Sequence, residues 1–193
     1  MAEVIILIEG YAKEEGDAFL ASPATVLIKD GKLAILVDPG ANRQLLLKSL
    51  EKNGLTPEDI DIIFLTHYHP DHILNIRLFP DKDIYDGNTI YSNDKEVEYS
   101  GNIPHTNIQV IPTPGHAHEH CSLLIETKKG KIAIAGDVFW WTSGEEQKTD
   151  RENLLKHEDP YAKDKGALIE SRKKLLAAAD YIIPGHGKMF RVE

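Results

Sequence analysis

Residues 67–72 read His67-Tyr68-His69-Pro70-Asp71-His72, straight after the apolar run Ile62-Ile63-Phe64-Leu65 and Thr66. Neutral imidazole and carboxylate suit Zn²⁺, and also Fe or Mn. Unligated and buried, such a cluster would cost stability through desolvation and mutual repulsion. The competing account is a solvated loop or a chance grouping of histidines. In an extended run, residues two apart share a face, so the His67 and His69 rings can reach one metal. Pro70 ends the strand. Asp71 and His72 then fall at the start of a helix, turned back toward the same region, where a second metal would use them.

Three further strand ends carry metal-competent residues. They are Thr113-Pro114-Gly115-His116, Gly136-Asp137 and Pro184-Gly185-His186-Gly187. The flanking glycines allow the backbone to approach a tightly packed site. Singly, a Gly-His is most simply a solvent-facing turn and a strand-end Asp a helix cap. Together with the first cluster they point to one shared centre.

The elements that must position these residues are legible as Ile-, Val- and Leu-rich runs bounded by turn residues. Strands are predicted at 3–9, 24–29, 33–38, 60–66, 107–111, 121–126, 131–136 and 180–183. Helices are predicted at 41–53, about 71–78, and 163–179. Leu45, Leu46 and Leu50 give the first helix an apolar face, and Asn53-Gly54 stops it. Leu168, Leu175 and Leu176 do the same for the third. Lys29-Asp30-Gly31-Lys32 and Lys128-Lys129-Gly130-Lys131 read as tight hairpin turns. Residues 10–22 are read as a loop, and 139–162 are polar and without clear pattern.

The segment Thr25–Asp38 parallels Ser122–Asp137: a hairpin ending in aspartate. Each half then reaches a strand ending in histidine, His67 or His186. This reads as a diverged duplication. It predicts two packed sheets with helices outside, both halves delivering polar residues to one edge. Generic hairpins that agree by coincidence are the alternative.

With these residues in hand, the chain resembles the metallo-β-lactamase-fold superfamily of metal-dependent hydrolases. The motifs from Asp38 through 67–72, 113–116 and Asp137 to 184–186 occur in that family's order. The resemblance implies an α/β fold, a four-layer αββα sandwich spanning residues 1–193 as one domain. It implies two Zn²⁺, with Fe or Mn as alternatives. His67, His69 and His116 would hold the first metal; Asp71, His72 and His186 the second; Asp137 would bridge. Asp71 would also be catalytic, orienting the attacking water and moving its proton. Asp38 would support the ligand loops from behind. His120, in a His-x-Ser-Leu stretch similar to lactonase-like members, would support them too. A water between two divalent ions becomes a nucleophile near neutral pH.

The substrate is less legible. Formal charge −9 disfavours a broad grip on nucleic acid without excluding a local basic patch. A small ester, thioester or lactone fits the compact chain. A glyoxalase II would carry a helical domain after His186. A nuclease is the alternative: Gly136–Phe139, Glu158-Asp159-Pro160, Glu170-x-Arg172 and 179–187 resemble a group of the superfamily linked to RNA 3′-end cleavage in animals. A non-catalytic metal-binding relative is a further alternative. Loop 10–22, through Phe19, would overhang the site. Trp140 and Trp141 read as a cleft wall or as core. His118 reads as rim or surface, His105 and His157 as surface, and Arg172-Lys173-Lys174 as a solvated helix face. Cys121 is the lone cysteine and reads as a buried strand thiol. Val4–Ile8 is too short to span a membrane and lacks a basic leader, so a cytoplasmic protein is expected. Apolar residues near the N-terminus are compatible with a homodimer.

Overall fold

The structure is a computed structural model describing residues 1–193. Strands β1 (Glu3–Ile8), β4 (Thr25–Asp30), β5 (Leu33–Val37), β6 (Ile62–Phe64), β7 (Asp83–Tyr85), β8 (Thr89–Ser92) and β9 (Lys95–Glu98) form one sheet in that order. Strands β10 (Gln109–Pro112), β11 (Cys121–Thr127), β12 (Gly130–Trp140), β13 (Tyr181–His186) and β14 (Phe190–Arg191) form a second. A separate hairpin pairs β2 (Tyr11–Glu15) with β3 (Ala18–Ser22).

Alternation along the strands builds the layers. Val26, Ile28, Ile35, Val37 and Phe64 face Leu123, Ile125, Ile134 and Ile183 between the sheets. Leu27, Leu36 and Ile63 point the other way, onto Leu46 and Leu50 of helix α1 (Arg43–Lys52). Ala133, Ala135 and Ile182 meet Leu168, Leu175 and Leu176 of helix α4 (Lys165–Ala178) on the opposite outer face. The result is the αββα sandwich, with one core between the sheets and one under each helical layer.

The two halves share connectivity. In the first, β4 pairs antiparallel with β5, and β5 parallel with β6. In the second, β11 pairs antiparallel with β12, and β12 parallel with β13. Both hairpins turn where the sequence places them, with Asp30 opposite Leu33 and Thr127 opposite Gly130. Parallel strands leave their C-terminal ends on one edge, and the chemistry collects there.

Several local readings differ. Residues 10–22 are the β2–β3 hairpin, not a loop. Strand β6 ends at Phe64, so His67 and His69 lie in the loop beyond it. A short helix α2 (Pro70–Ile73) passes into 3-10 turns over Leu74–Leu78. The polar stretch 139–162 completes β12 and then contributes helix α3 (Arg151–Lys156), capped by Asp150. No helix is long and apolar enough to cross a membrane.

Candidate metal centre

The loop after β6 and the start of α2 deliver His67, His69, Asp71 and His72. The turn after β10 delivers His116, and β12 and β13 deliver Asp137 and His186. Two groups result: His67, His69, His116 and Asp137, and beside it Asp71, His72 and His186. His67 and His69 share one side of the extended loop with Tyr68 exposed between them, and the turn at Pro70 brings Asp71 and His72 back beside them. Asp137 is re-aimed by a bulge. Between Gly136 and Trp140, β12 carries extra residues against Pro184–His186 of β13. The packing there is close, since a Cβ on Gly185 would lie 1.8 Å from Asp137 Oδ1.

Asp137 faces both groups. Its Oδ2 is 3.3 Å from His116 Nε2 and 3.7 Å from His67 Nε2. Its Oδ1 is 3.3 Å from His72 Nε2 and 3.6 Å from His186 Nε2. Asp71 Oδ2 lies 3.3 Å from His186 Nε2 and 3.7 Å from His72 Nε2. His116 Nε2 and His69 Nδ1 are 2.9 Å apart. Donor atoms around a tetrahedral Zn²⁺ with bonds of about 2.0–2.1 Å stand roughly 3.3 Å from one another.

Four of the rings are held from behind through Nδ1–H. His67 donates to Thr66 Oγ1 at 3.0 Å and His72 to Asp38 Oδ2 at 2.8 Å. His116 donates to Asp159 Oδ2 at 2.7 Å. His186 donates to the carbonyls of Ser22 at 2.9 Å and Tyr11 at 3.0 Å. In the neutral ring, the form that binds a metal, this selects the tautomer whose Nε2 lone pair points inward. His67 Nε2, His72 Nε2 and Asp137 Oδ1 are buried and have no hydrogen-bond partner. Buried polar atoms are rarely orphaned. A divalent cation in each group would satisfy them, and the donor sets fit such ions.

Asp38 and His120 stand behind the ligands. Asp38, at φ 48°, accepts from the Thr66 backbone N–H at 2.9 Å and from Thr66 Oγ1 at 2.7 Å, besides His72. His120 Nε2 accepts the Asp137 backbone N–H at 3.1 Å. Its Nδ1–H donates to Thr113 Oγ1 at 3.0 Å, which leads on to Ser122 Oγ at 2.8 Å and the Ala135 carbonyl at 3.1 Å. Burial drives the His120 pKa down to about 3, so the ring stays neutral and can accept.

Charge is divided between the groups. Burial and the neighbouring His72 hold His67 well below its usual pKa, and burial and His116 lower His69. For His186 burial works downward, but Asp137 wins and lifts it to about 9. His72 is raised likewise, by Asp137 and Asp38 against burial. Burial would raise Asp137, yet His72 and His186 pull it well below the carboxylate range.

A cleft of about 480 Å³ opens over the ligands, with Phe19, Ala21, Leu74, Trp140 and Tyr161 among its walls. Phe19 reaches it from the β2–β3 hairpin. Trp141 is core instead, packed with Phe190 and Val138. His118 and His105 are exposed, and Cys121 is buried at the start of β11. Two expectations are overturned. Arg172 is 1% exposed, because it lies four residues from both Leu168 and Leu176 on the inner face of α4. His157 has a 14% exposed side chain, its ring donating to the Trp140 carbonyl at 2.7 Å. Asp159 and Tyr161 escaped notice as site residues. The signal for Asp159 was the resemblance of Glu158-Asp159-Pro160, which carried no role for the side chain, and Tyr161 had only its place in the unpatterned stretch before the last helix.

The chain belongs to the metallo-beta-lactamase superfamily, whose model matches residues 20–87 and 85–186. It is a hydrolase of that superfamily with a candidate divalent-metal site. Metallo-beta-lactamase domain-containing protein 1 of Xenopus laevis is 33% identical over 199 residues, covering 98% of this chain and 81% of the relative. A putative metallo-beta-lactamase from Thermotoga maritima superposes with a TM-score of 0.71 at 20% identity, covering 98% and 99% of the two chains. AidC, a dizinc quorum-quenching lactonase, superposes at 0.60 with 18% identity, covering 88% of this chain and 73% of its own.

Proposed function

We propose that the chain hydrolyses a small ester, thioester or lactone at a binuclear zinc centre. The observation that carries the substrate class is the cleft. Its floor is the ligand set and its walls are apolar, with Phe19, Leu74, Trp140 and Tyr161 and no lysine or arginine. Such walls suit a neutral substrate with an apolar flank and offer nothing to pair with a phosphate. The structural likeness to a lactonase is in keeping with this.

His67, His69 and His116 would hold one ion, and Asp71, His72 and His186 the other, with Asp137 serving both. The same donors suit Fe or Mn. When bound, two divalent ions supply a nucleophile at neutral pH and polarise the attacked carbonyl. The protein's part is positioning. Buried hydrogen bonds lock the rings, and the apolar walls exclude bulk water and orient the acyl group. Asp71 lines the cleft, and its side chain is 24% exposed. Burial works against its charge, but the hydrogen bond to His186 and the charge of His72 hold its pKa low. It therefore stands ionised, ready to orient a water and take its proton.

Phosphodiester cleavage is the second reading. It rests on the sequence resemblance of segments 136–139, 158–160 and 179–187. The test is metal analysis of the purified protein, then assay of an aryl ester, a thioester, an acyl-homoserine lactone, a bis-aryl phosphate and single-stranded RNA. Ester, thioester or lactone turnover that a chelator abolishes is expected. Phosphodiester turnover with no ester turnover would overturn the first reading in favour of the second.

A further inference from the structure

We propose that Asp159 is the positioning residue of His116, and that the buried Arg172 secures it through segment 157–161. This rests on His116 being a metal ligand. Asp159 Oδ2 accepts the His116 Nδ1–H at 2.7 Å, and Oδ1 accepts the Tyr161 backbone N–H at 2.9 Å. The Asp159 side chain is 0% exposed. Through this bond Asp159 sets the tautomer and rotation of the ring whose Nε2 faces Asp137 and His69.

Arg172 explains why segment 157–161 stays in place. It reaches inward from α4. Its Nε donates to the Val138 carbonyl at 3.0 Å, and its Nη1 to the His157 carbonyl at 2.5 Å. The guanidinium lies 5.8 Å from the Phe139 ring. One fork thus ties the strand end that carries Asp137 to the loop that carries Asp159. The His157 ring adds a second tie, to the Trp140 carbonyl. A buried guanidinium is costly to desolvate, and burial lowers the Arg172 pKa to about 10; Asp159 is the carboxylate whose charge offsets part of that cost. The same segment brings Tyr161 beside Trp140, with ring centroids 5.7 Å apart, as cleft wall. One clamp therefore sets both a ligand and part of the substrate surface.

Asp159 bonds a ligand of the His67–His69–His116 group and none of the Asp71–His72–His186 group, so its loss should be selective between the two metals. In Asp159→Ala, affinity in the His67–His69–His116 group should fall about 10–100-fold in zinc competition against a chromophoric chelator. The Asp71–His72–His186 group should be unchanged. Asp159→Asn retains an acceptor but not the charge, and should fall in between. Arg172→Lys keeps the charge and loses the fork, and should weaken the same group less than Asp159→Ala. Far-UV circular dichroism and Tm check that each variant folds. Where Asp159→Ala does not fold, Asp159→Asn carries the test. A folded variant that binds both equivalents with wild-type affinity overturns the proposal, as does equal weakening of the two groups. A wild-type protein that binds no metal overturns the proposal together with the metal-centre reading, a result distinct from either.

Discussion

Each carboxylate oxygen of Asp137 has its own pair of imidazole nitrogens to face, so this one side chain couples the two ligand groups. Loss of a ligand should abolish turnover with little effect on the fold, because the rings are held by Nδ1–H bonds independent of the metal. His69→Ala and Asp71→Asn are the sharpest cases. For Asp71→Asn a loss of about 10²–10⁴-fold in kcat is expected, the usual size of a proton-transfer contribution. Either purified variant retaining full activity sinks the assignment. The metal-stripped protein should also show a characteristic pH dependence. His186 is raised from 6.5 to about 9, so its stabilisation is complete below 6.5 and lost as pH rises through about 9. Asp137 is lowered from 3.8, so its contribution is present above 3.8 and lost as pH falls below that. His67, His69 and His120, lowered by burial, act the other way and cost stability as pH falls below 6.5, so the Tm of chelator-treated protein should peak near pH 6.5. Added zinc should stabilise more as pH rises, since the ligands must shed their protons to bind it. A metal-free Tm that climbs from pH 6.5 to 9 would contradict this charge assignment.

At the scale of elements, the β2–β3 hairpin and the β12–β13 pair do different work. The hairpin supplies the carbonyls of Tyr11 and Ser22 to His186 and holds Phe19, 48% exposed, over the cleft. Phe19→Ala should leave metal content unchanged and raise KM roughly three- to tenfold for substrates with an apolar flank, in line with about 1 kcal/mol of partial apolar burial. Comparing a long-chain with a short-chain ester isolates the effect, and equal KM changes for both would remove Phe19 from the substrate surface. In the β12–β13 pair, Gly185→Ala must displace Asp137 or the strand, because the new Cβ would sit 1.8 Å from Oδ1. Loss of metal binding and of activity together is expected, read by metal analysis; a variant with full metal content would count against that contact. These elements were unequally legible in the sequence. Long apolar strands with clear turns, β4–β5 and β11–β12, could be read directly, because alternation and Gly-containing turns are local signals. The hairpin could not, since only the small residues Ala12 and Ser22 are buried at its base, while Glu14, Glu15 and Phe19 are exposed. Ligands announced themselves by residue type. Their supports did not: Arg172 was hidden by the adjacent lysines, although its spacing from Leu168 and Leu176 places it on the buried face of α4.

In the whole molecule, the two halves of the sandwich each give ligands to both groups. His67 and His69 come from the first half and meet His116 and Asp137 from the second; Asp71 and His72 from the first meet His186 from the second. Each bound ion would therefore be a further cross-link between halves already joined by the apolar core between the sheets and by hydrogen bonds such as those of His186 to Ser22 and Tyr11. Unfolding must break both cross-links, so metal binding is folding free energy. At free metal one hundred times the dissociation constant, one site adds about 2.7 kcal/mol. For a chain of this length that corresponds to about 2–4 °C per kcal/mol, hence roughly 5–11 °C in Tm per occupied site. Calorimetry with stepwise zinc addition should show two increments, and limited proteolysis should slow in parallel. His116→Ala should remove one increment and His186→Ala the other, while Asp137→Ala should diminish both, because only Asp137 faces the two groups. A single increment that survives either histidine substitution would mean that the groups do not each hold an ion between the halves.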